Sequence, residues 1–280
     1  MIYTNSIGSL SEGAEIKRID QAPLLLHAHE SHLSISNHDI SEQDIEQCDF
    51  FIAASSTVKS ALVNDWKIDH DRVTVIYPFT PYEIANDATQ NRADGKFNIG
   101  LSGYACWMKG IDLLPMVASA FSKAHPEVDC VFTWVGEIMP KIQREIEYDA
   151  QKLGVQDIIR FTGQLSAPIP EYMNFDVFLL LSREDSFPMV CLENALLKKP
   201  IICMKNASGI TDMLTDDSCV IVPYLSIKGI SDAIYKLYSE PQYSLQLGEA
   251  AYHLVTTRFS KANQIQALRD FVLGLQSSKK

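Results

Sequence analysis

The feature that most constrains this chain is an alternation. Short apolar runs exchange with segments of helical period almost from end to end. A strand buried on both faces reads as a continuous apolar run, and the helix that returns the chain reads as a stripe every three to four residues. The order therefore predicts βα units around parallel sheets. Strands are expected at Ile2–Thr4, Leu24–Ala28, Phe50–Ala54, Val73–Ile76, Phe97–Ser102, Cys130–Val135, Ile158–Thr162, Val177–Leu181, Pro200–Cys203 and Val220–Val222. Helices are expected at Ser56–Asp65, Ile111–Ala124, Pro140–Leu153, Met189–Lys199, Ile227–Ser239, Tyr243–Thr257 and Lys261–Leu275, among others. The polar stretch "PYEIANDATQNRADGK", Pro81–Lys96, lacks the pattern and has linker composition. It predicts a boundary between residues 1–90 and residues 91–258, with a closing segment at 259–280. The larger unit reads as a complete doubly wound domain. The smaller one reads as a shortened partner that begins with a strand at once.

Charge and cysteine content narrow the function. A net charge of −11 and a pI near 5.1 argue against nucleic acid or an anionic membrane as the main partner. The six cysteines form no CxxC pair, and most lie in apolar runs such as "PIICM". Buried free thiols in a reducing cytoplasm fit them better than disulfides or zinc. No apolar run has the length of a membrane span and no signal peptide opens the chain, so a cytoplasmic location is expected.

Four stretches carry polar chemistry at expected strand ends. In "SREDSFPMVCLENALLKKPII", Ser182–Ile202, Asp185 and Glu193 flank a helix start. Pro188 suits a first helical turn. The N–H groups of Met189 and Val190 could meet phosphate oxygens, Glu193 could accept hydrogen bonds from a ribose, and Asp185 could hold a sugar hydroxyl. The alternative is that Asp185 or Ser186 caps the helix and Glu193 is solvated. In "GLSGYACWMKGIDLL", Gly100–Leu114, Lys109 sits at a βα turn where it could pair with a pyrophosphate, or be a surface lysine. In "LLLHAHESH", Leu24–His32, a strand ends in histidines that could face a cleft, bind zinc or be structural. In "KNASGITDML", Lys205–Leu214, Gly209 could bring backbone close to a ligand, or serve a plain turn.

Together these stretches resemble the retaining GT-B glycosyltransferases of family 4, also known as glycosyl transferases group 1. Asp185 and Glu193 match that family's acid, seven residues, then Glu, with Phe187 between. "WMKGIDLL" is similar to its W-R-K-G-x-D-L-F. "FTWVGE" and "RFTGQL" resemble its paired strand-Gly segments, and "YMNFDVFLLLSRED" its lead-in to the acid pair. "CDFFIAASSTVKSAL" and "LLLHAHE" resemble first-domain segments. The resemblance implies a GT-B-like α/β fold with a Rossmann-like nucleotide-sugar domain, a shortened Rossmann-like acceptor-side domain, and a last helix crossing back to the latter. It implies that Glu193 binds the donor ribose, that Asp185 contacts the transferred sugar, and that Lys109 with the N–H groups of Met189 and Val190 neutralises the leaving diphosphate. Gly103, Gly163 and Gly209 would belong to loops beside the donor, and His29 would face the transferred sugar. No metal or other cofactor is implied. The implied partners are a nucleoside-diphosphate sugar and a glycan or lipid-linked glycan of lipopolysaccharide or capsule type, with peripheral contact at the inner face of the membrane.

The sequence departs from that pattern in three places. Tyr104 stands five residues before the lysine where the family commonly has Arg, and Met108 stands where a related form has Arg. One positive charge on the diphosphate is then missing or comes from elsewhere, with Arg183 and Lys205 as the candidates. The family also opens with a first strand and Gly-rich loop that this chain is expected to lack, so beside the glycosyltransferase reading stands an alternative: a donor-binding protein inactive alone or one completed by a partner chain.

Overall fold

The computed structural model describes residues 1–36, 38–82 and 95–277. Most of the expected boundary at 81–96, and the last residues of the "SSKK" tail, lie outside the described residues.

The first half forms an all-parallel sheet ordered β1 (Ile2–Thr4), β2 (Leu24–Ala28), β3 (Phe50–Ala53), β4 (Val73–Val75). Helices α1 (Leu10–Asp20), α2 (His32–Ser36), α3 (Glu42–Gln47) and α4 (Ser56–Asp65) connect the strands. β2 is buried along its whole length, which is why it reads as an apolar run broken only by His27. Its side chains alternate between two faces. Leu24 and Leu26 join Phe51, Val58 and Leu62 under the connecting helices. Leu25 joins Ile52 and Ile76 on the opposite face.

The second half forms a parallel sheet from β5 (Phe97–Ser102), β6 (Cys130–Val135), β7 (Ile159–Gly163), β8 (Val177–Leu180), β9 (Ile201–Met204) and β10 (Val220–Val222). Its spatial order is β10-β9-β8-β5-β6-β7. One face packs under α5 (Leu114–Ala124), α6 (Pro140–Leu153) and α9 (Ile227–Ser239), with Leu101, Phe121, Phe132 and Trp134 at its centre. The other carries Phe175, Phe178, Leu192 and Ala251 among α7 (Ile169–Met173), α8 (Met189–Leu196) and α10 (Pro241–Thr256). The chain runs outward from β5 to β7, then returns to β8 on the other side of β5. That reversal is the switch point where open α/β sheets hold ligands.

The last helix, α11 (Lys261–Ser277), leaves the second half and lays Leu268 and Phe271 on Leu25, Ile52 and Ile76 of the first sheet. Four expected helices differ in extent: α10 starts at Pro241 rather than Tyr243 and ends at Thr256, α11 runs to Ser277 rather than Leu275, and two others change at one end. Ile111–Ala124 opens with 3-10 turns at Trp107–Lys109 and Ile111–Leu113, separated by Gly110 at φ +73°. A Cβ on Gly110 would lie 2.1 Å from the Leu181 carbonyl, so only glycine lets the turn pass there. Met189–Lys199 ends at Leu196, because Lys198 turns left-handed (φ +57°) and Lys199 precedes a proline. All six cysteines are free thiols. Among the described residues, no helix is long and apolar enough to cross a membrane.

Candidate active site

The loop after β8 is stitched to the loop after β9. The Asp185 amide donates to the Ala207 carbonyl (2.9 Å), and the Gly209 amide donates to the Asp185 carbonyl (3.0 Å). With its backbone held, the Asp185 carboxylate accepts from Lys109 Nζ at 2.5 Å and from Ser182 Oγ at 3.3 Å. Lys109 ends the 3-10 turn that follows β5. The strand reversal thus places a lysine and a carboxylate, 76 residues apart in sequence, in contact at the switch point. Asp185 is nearly closed to solvent, while the Lys109 side chain stays 29% exposed. The ammonium can therefore still meet an incoming anion. Neither Asp185 nor Ser186 caps α8: the N-cap is Pro188 and no side chain bonds the helix start. The N–H groups of Met189 and Val190 open the helix without an intrahelical partner.

Glu193, on the same helix, is buried, not solvated. Its carboxyl has no hydrogen-bond partner among the described residues. Burial pushes its pKa up to about 7, since a carboxylate there has lost water without gaining a cation. Tyr172 lies near enough to feel it. The phenol pairs with Ser102 Oγ at 2.6 Å and is raised to about 12, by burial first, with Glu193 adding to the rise. Tyr172 was not among the residues singled out from sequence, because it reads there as an ordinary apolar helix position.

Three glycines line the neighbouring strand ends. Gly103 (φ +146°) accepts from the Trp134 indole through its carbonyl (3.1 Å), and Gly136 (φ +142°) approaches so closely that a Cβ on it would lie 2.1 Å from that carbonyl. Gly163 (φ +71°) accepts from the Gly136 amide at 3.0 Å. Bare backbone therefore runs along the ends of β5, β6 and β7.

Gly209 sits where the loops after β8 and β9 meet the first half. Its N–H is engaged by Asp185, and a Cβ would meet the Ser186 carbonyl at 2.0 Å and Ser55 Oγ at 2.5 Å. It is a close-packing glycine where the halves touch. Beside it Ser55 Oγ donates to the Ser186 carbonyl (2.7 Å), and the Ser56 amide and hydroxyl both donate to the Asp212 carboxylate. Arg183, one candidate for the further cation, is paired in this structure. Arg183 forks onto Asp112 with two bonds of 2.7 Å, donates to the Trp107 carbonyl, and stacks 4.6 Å over the Trp107 ring.

His29 lies between the halves. A cleft of about 500 Å³ is lined by Tyr3, Asn5, His27 and His29 from the first half and by Phe187 and Met189 from the second, with Gln264 of α11 closing one side. The His29 amide donates to Glu30 (2.9 Å) and its ring Nε2 pairs with Asn5 Oδ1 (3.2 Å). Burial lowers its pKa, against the opposing charge of Glu30. Its ring centroid is 4.3 Å from that of His27, which burial, then His29, pulls down to about 4. Both rings are therefore neutral near pH 7. His27 Nδ1 pairs with the Tyr3 hydroxyl at 2.6 Å, and His32 turns away to Asp65. The histidines are thus engaged separately, and among the described residues no three His, Cys, Asp or Glu side chains converge as metal ligands. Phe187 packs its ring 5.5 Å from Tyr77 at the floor of this cleft. Asn5 and Tyr3 gave no sequence signal beyond their place at a strand end.

Residues 84–254, more than half of the chain, match the family model for glycosyl transferases group 1. Among curated proteins, a D-inositol 3-phosphate glycosyltransferase of Paenarthrobacter aurescens is 22% identical over 80% of this chain and 58% of its own length. A lipopolysaccharide core biosynthesis glycosyltransferase of Rhizobium meliloti is 27% identical over 55% of this chain and 43% of its own. The chain thus spans about half the length of the curated relatives it matches. Among solved structures, Anabaena HepE in complex with UDP-glucose superposes with a TM-score of 0.81 at 18% identity, covering 97% of this chain and 78% of that one. With parallel α/β sheets in the GT-B arrangement, the chain belongs to the glycosyl transferases group 1 family.

Proposed function

We propose that this chain works as a hexosyltransferase that takes a sugar from a nucleoside-diphosphate donor and passes it, with retention, to a cell-surface glycan or glycolipid. The observation that carries the reading is the Lys109–Asp185 contact at the switch point, one helix start away from the buried Glu193. In this reading the donor diphosphate takes the Lys109 ammonium from Asp185 and lies against the N–H groups of Met189 and Val190. Charge that develops on the leaving group is then met by a lysine and a helix dipole already in place. The released Asp185 carboxylate accepts from a hydroxyl of the transferred sugar. Glu193 accepts from the ribose, and the shelf at Gly103 and Gly163 admits the nucleotide to close backbone contact. Neutral His29, held by Asn5 and Glu30, orients the sugar from the opposite wall. A UDP-sugar donor is supported by HepE, whose structure holds UDP-glucose. An acceptor of lipopolysaccharide type is supported by the Rhizobium relative.

A thermal titration against UDP-, GDP-, ADP- and dTDP-sugars tests the donor half. One nucleotide class at about a hundred times its dissociation constant should add about 2.7 kcal/mol of stability. No shift with any class, in a protein that melts cooperatively, would sink the assignment. Anomeric coupling constants of the product test the rest: an inverted linkage refutes retention.

A further inference from the structure

A second cleft, of about 580 Å³, lies across the 182–186 loop from the first. Arg183 and Glu184 line it, whereas Ser186 and Phe187 line the first cleft. Its floor comes from the loops after β5, β8, β9 and β10, and its far wall from His32, Leu33 and Thr57 of the first half. None of the roles proposed above uses it.

Its lining has a definite chemistry. Trp107 is 57% exposed and Tyr224 47% exposed, so two large aromatic faces open into one concavity. Arg183 is no free cation there, because Asp112 takes both arms of its guanidinium; stacked on Trp107, it braces the indole as a platform. The Glu184 carboxylate is fixed by the Leu33 amide at 3.0 and 3.1 Å, and His32 is held by Asp65. Lys205 remains. It is an exposed residue that lines this cleft, and it makes no ion pair among the described residues. Its position is set by the backbone, since its amide donates to the Val222 carbonyl at 2.8 Å and Asn206 turns left-handed beside it. A braced aromatic platform suits the C–H face of a sugar ring, side-chain amide and carboxylate groups suit its hydroxyls, and an unpaired lysine suits an acid group.

We propose that this cleft binds an anionic saccharide unit, stacked on Trp107 and Tyr224 with its acid group on Lys205. Binding here needs no turnover, so it can be measured apart from the donor reading. Ligand-observed NMR and calorimetry on the full chain would use trigalacturonate, glucose 6-phosphate and neutral maltotriose as probes. One or both anionic probes should bind, and which one does names a carboxylate or a phosphate as the acid group. Trp107→Ala should weaken that binding about tenfold. Lys205→Ala should erase the preference over maltotriose. Titration of Trp107→Ala with a UDP-sugar should be unchanged, which separates this site from the donor site and shows that variant folded; an unchanged melting midpoint shows Lys205→Ala folded. No binding of either anion, equal binding of maltotriose, or an unaltered affinity in Trp107→Ala would each overturn the proposal.

Discussion

Glu193 is held in a place that costs the protein stability, and the cost depends on pH. Its pKa rises from 4.5 to about 7 on burial. Protonation is therefore favoured in the folded state. The folded protein bears no penalty from this group below the unfolded value, and the penalty grows as pH rises through the window from 4.5 to about 7. At about 1.4 kcal/mol per tenfold change in ionisation, the full cost is roughly 3 kcal/mol. Screening at the partly open helix start reduces that to about 2 kcal/mol near pH 8, with about a quarter of it present at pH 5. Glu193→Gln keeps the shape and removes the ionisation. Burying an amide has its own cost, but that cost does not vary with pH, so the difference between the two conditions isolates the carboxylate. Melts of the wild type and Glu193→Gln at pH 5 and pH 8 should show the variant gaining about 1.5 kcal/mol more at pH 8, or roughly 3–6 °C in midpoint for a chain of this size. An equal difference at both pH values would refute the claim that Glu193 is desolvated without a counter-charge. Donor binding supplies a second check. A ribose held by a carboxylate requires Glu193 ionised, so wild-type affinity for the donor should fall as pH drops below about 7.

Two further perturbations follow from the geometry. Gly209→Ala sets a Cβ against the Ser186 carbonyl and Ser55, both held between the halves, and should cost about 2–3 kcal/mol in denaturant unfolding; an unchanged midpoint would show that the halves do not meet there. Lys109→Met removes the cation beside Asp185 and should lower turnover about 10²–10³-fold, and turnover within a few-fold of wild type would remove Lys109 from the proposed mechanism.

Much of the fold was legible because it rests on local periodicity. The runs at Leu24–Ala28, Phe97–Ser102 and Cys130–Val135 became strands over the ranges expected, since strands buried on both faces are mostly apolar and stand out from their polar flanks. The helix at Pro140–Leu153 likewise carried its own limits, with proline at its start and Gly154 turning left-handed just after it. The stretch at 81–96, read as a linker, lies mostly outside the described residues.

The site was legible only as a set of residue types. Sequence could say that Lys109, Asp185, Glu193 and His29 stand at strand ends or helix starts. It could not say which of them touch, because their contacts span long separations and depend on the order of strands in the sheet. The reversal at β5 and β8 joined Lys109 to Asp185. The packing of α8 desolvated Glu193, where its spacing from Asp185 suited a ribose ligand and a solvated side chain equally well. Arg183 looked like a spare cation until Asp112, 71 residues away, took both arms of its guanidinium. Gly209 read as a plain turn or as backbone beside a ligand, and nothing in the sequence signalled that Ser55 of the first half packs against it. Periodicity is a property of neighbours in the chain, so the sequence by itself determined the elements and their class. Partnership is a property of neighbours in space, so only the tertiary structure decided which charges are paired, which are buried alone, and which are left facing a cleft.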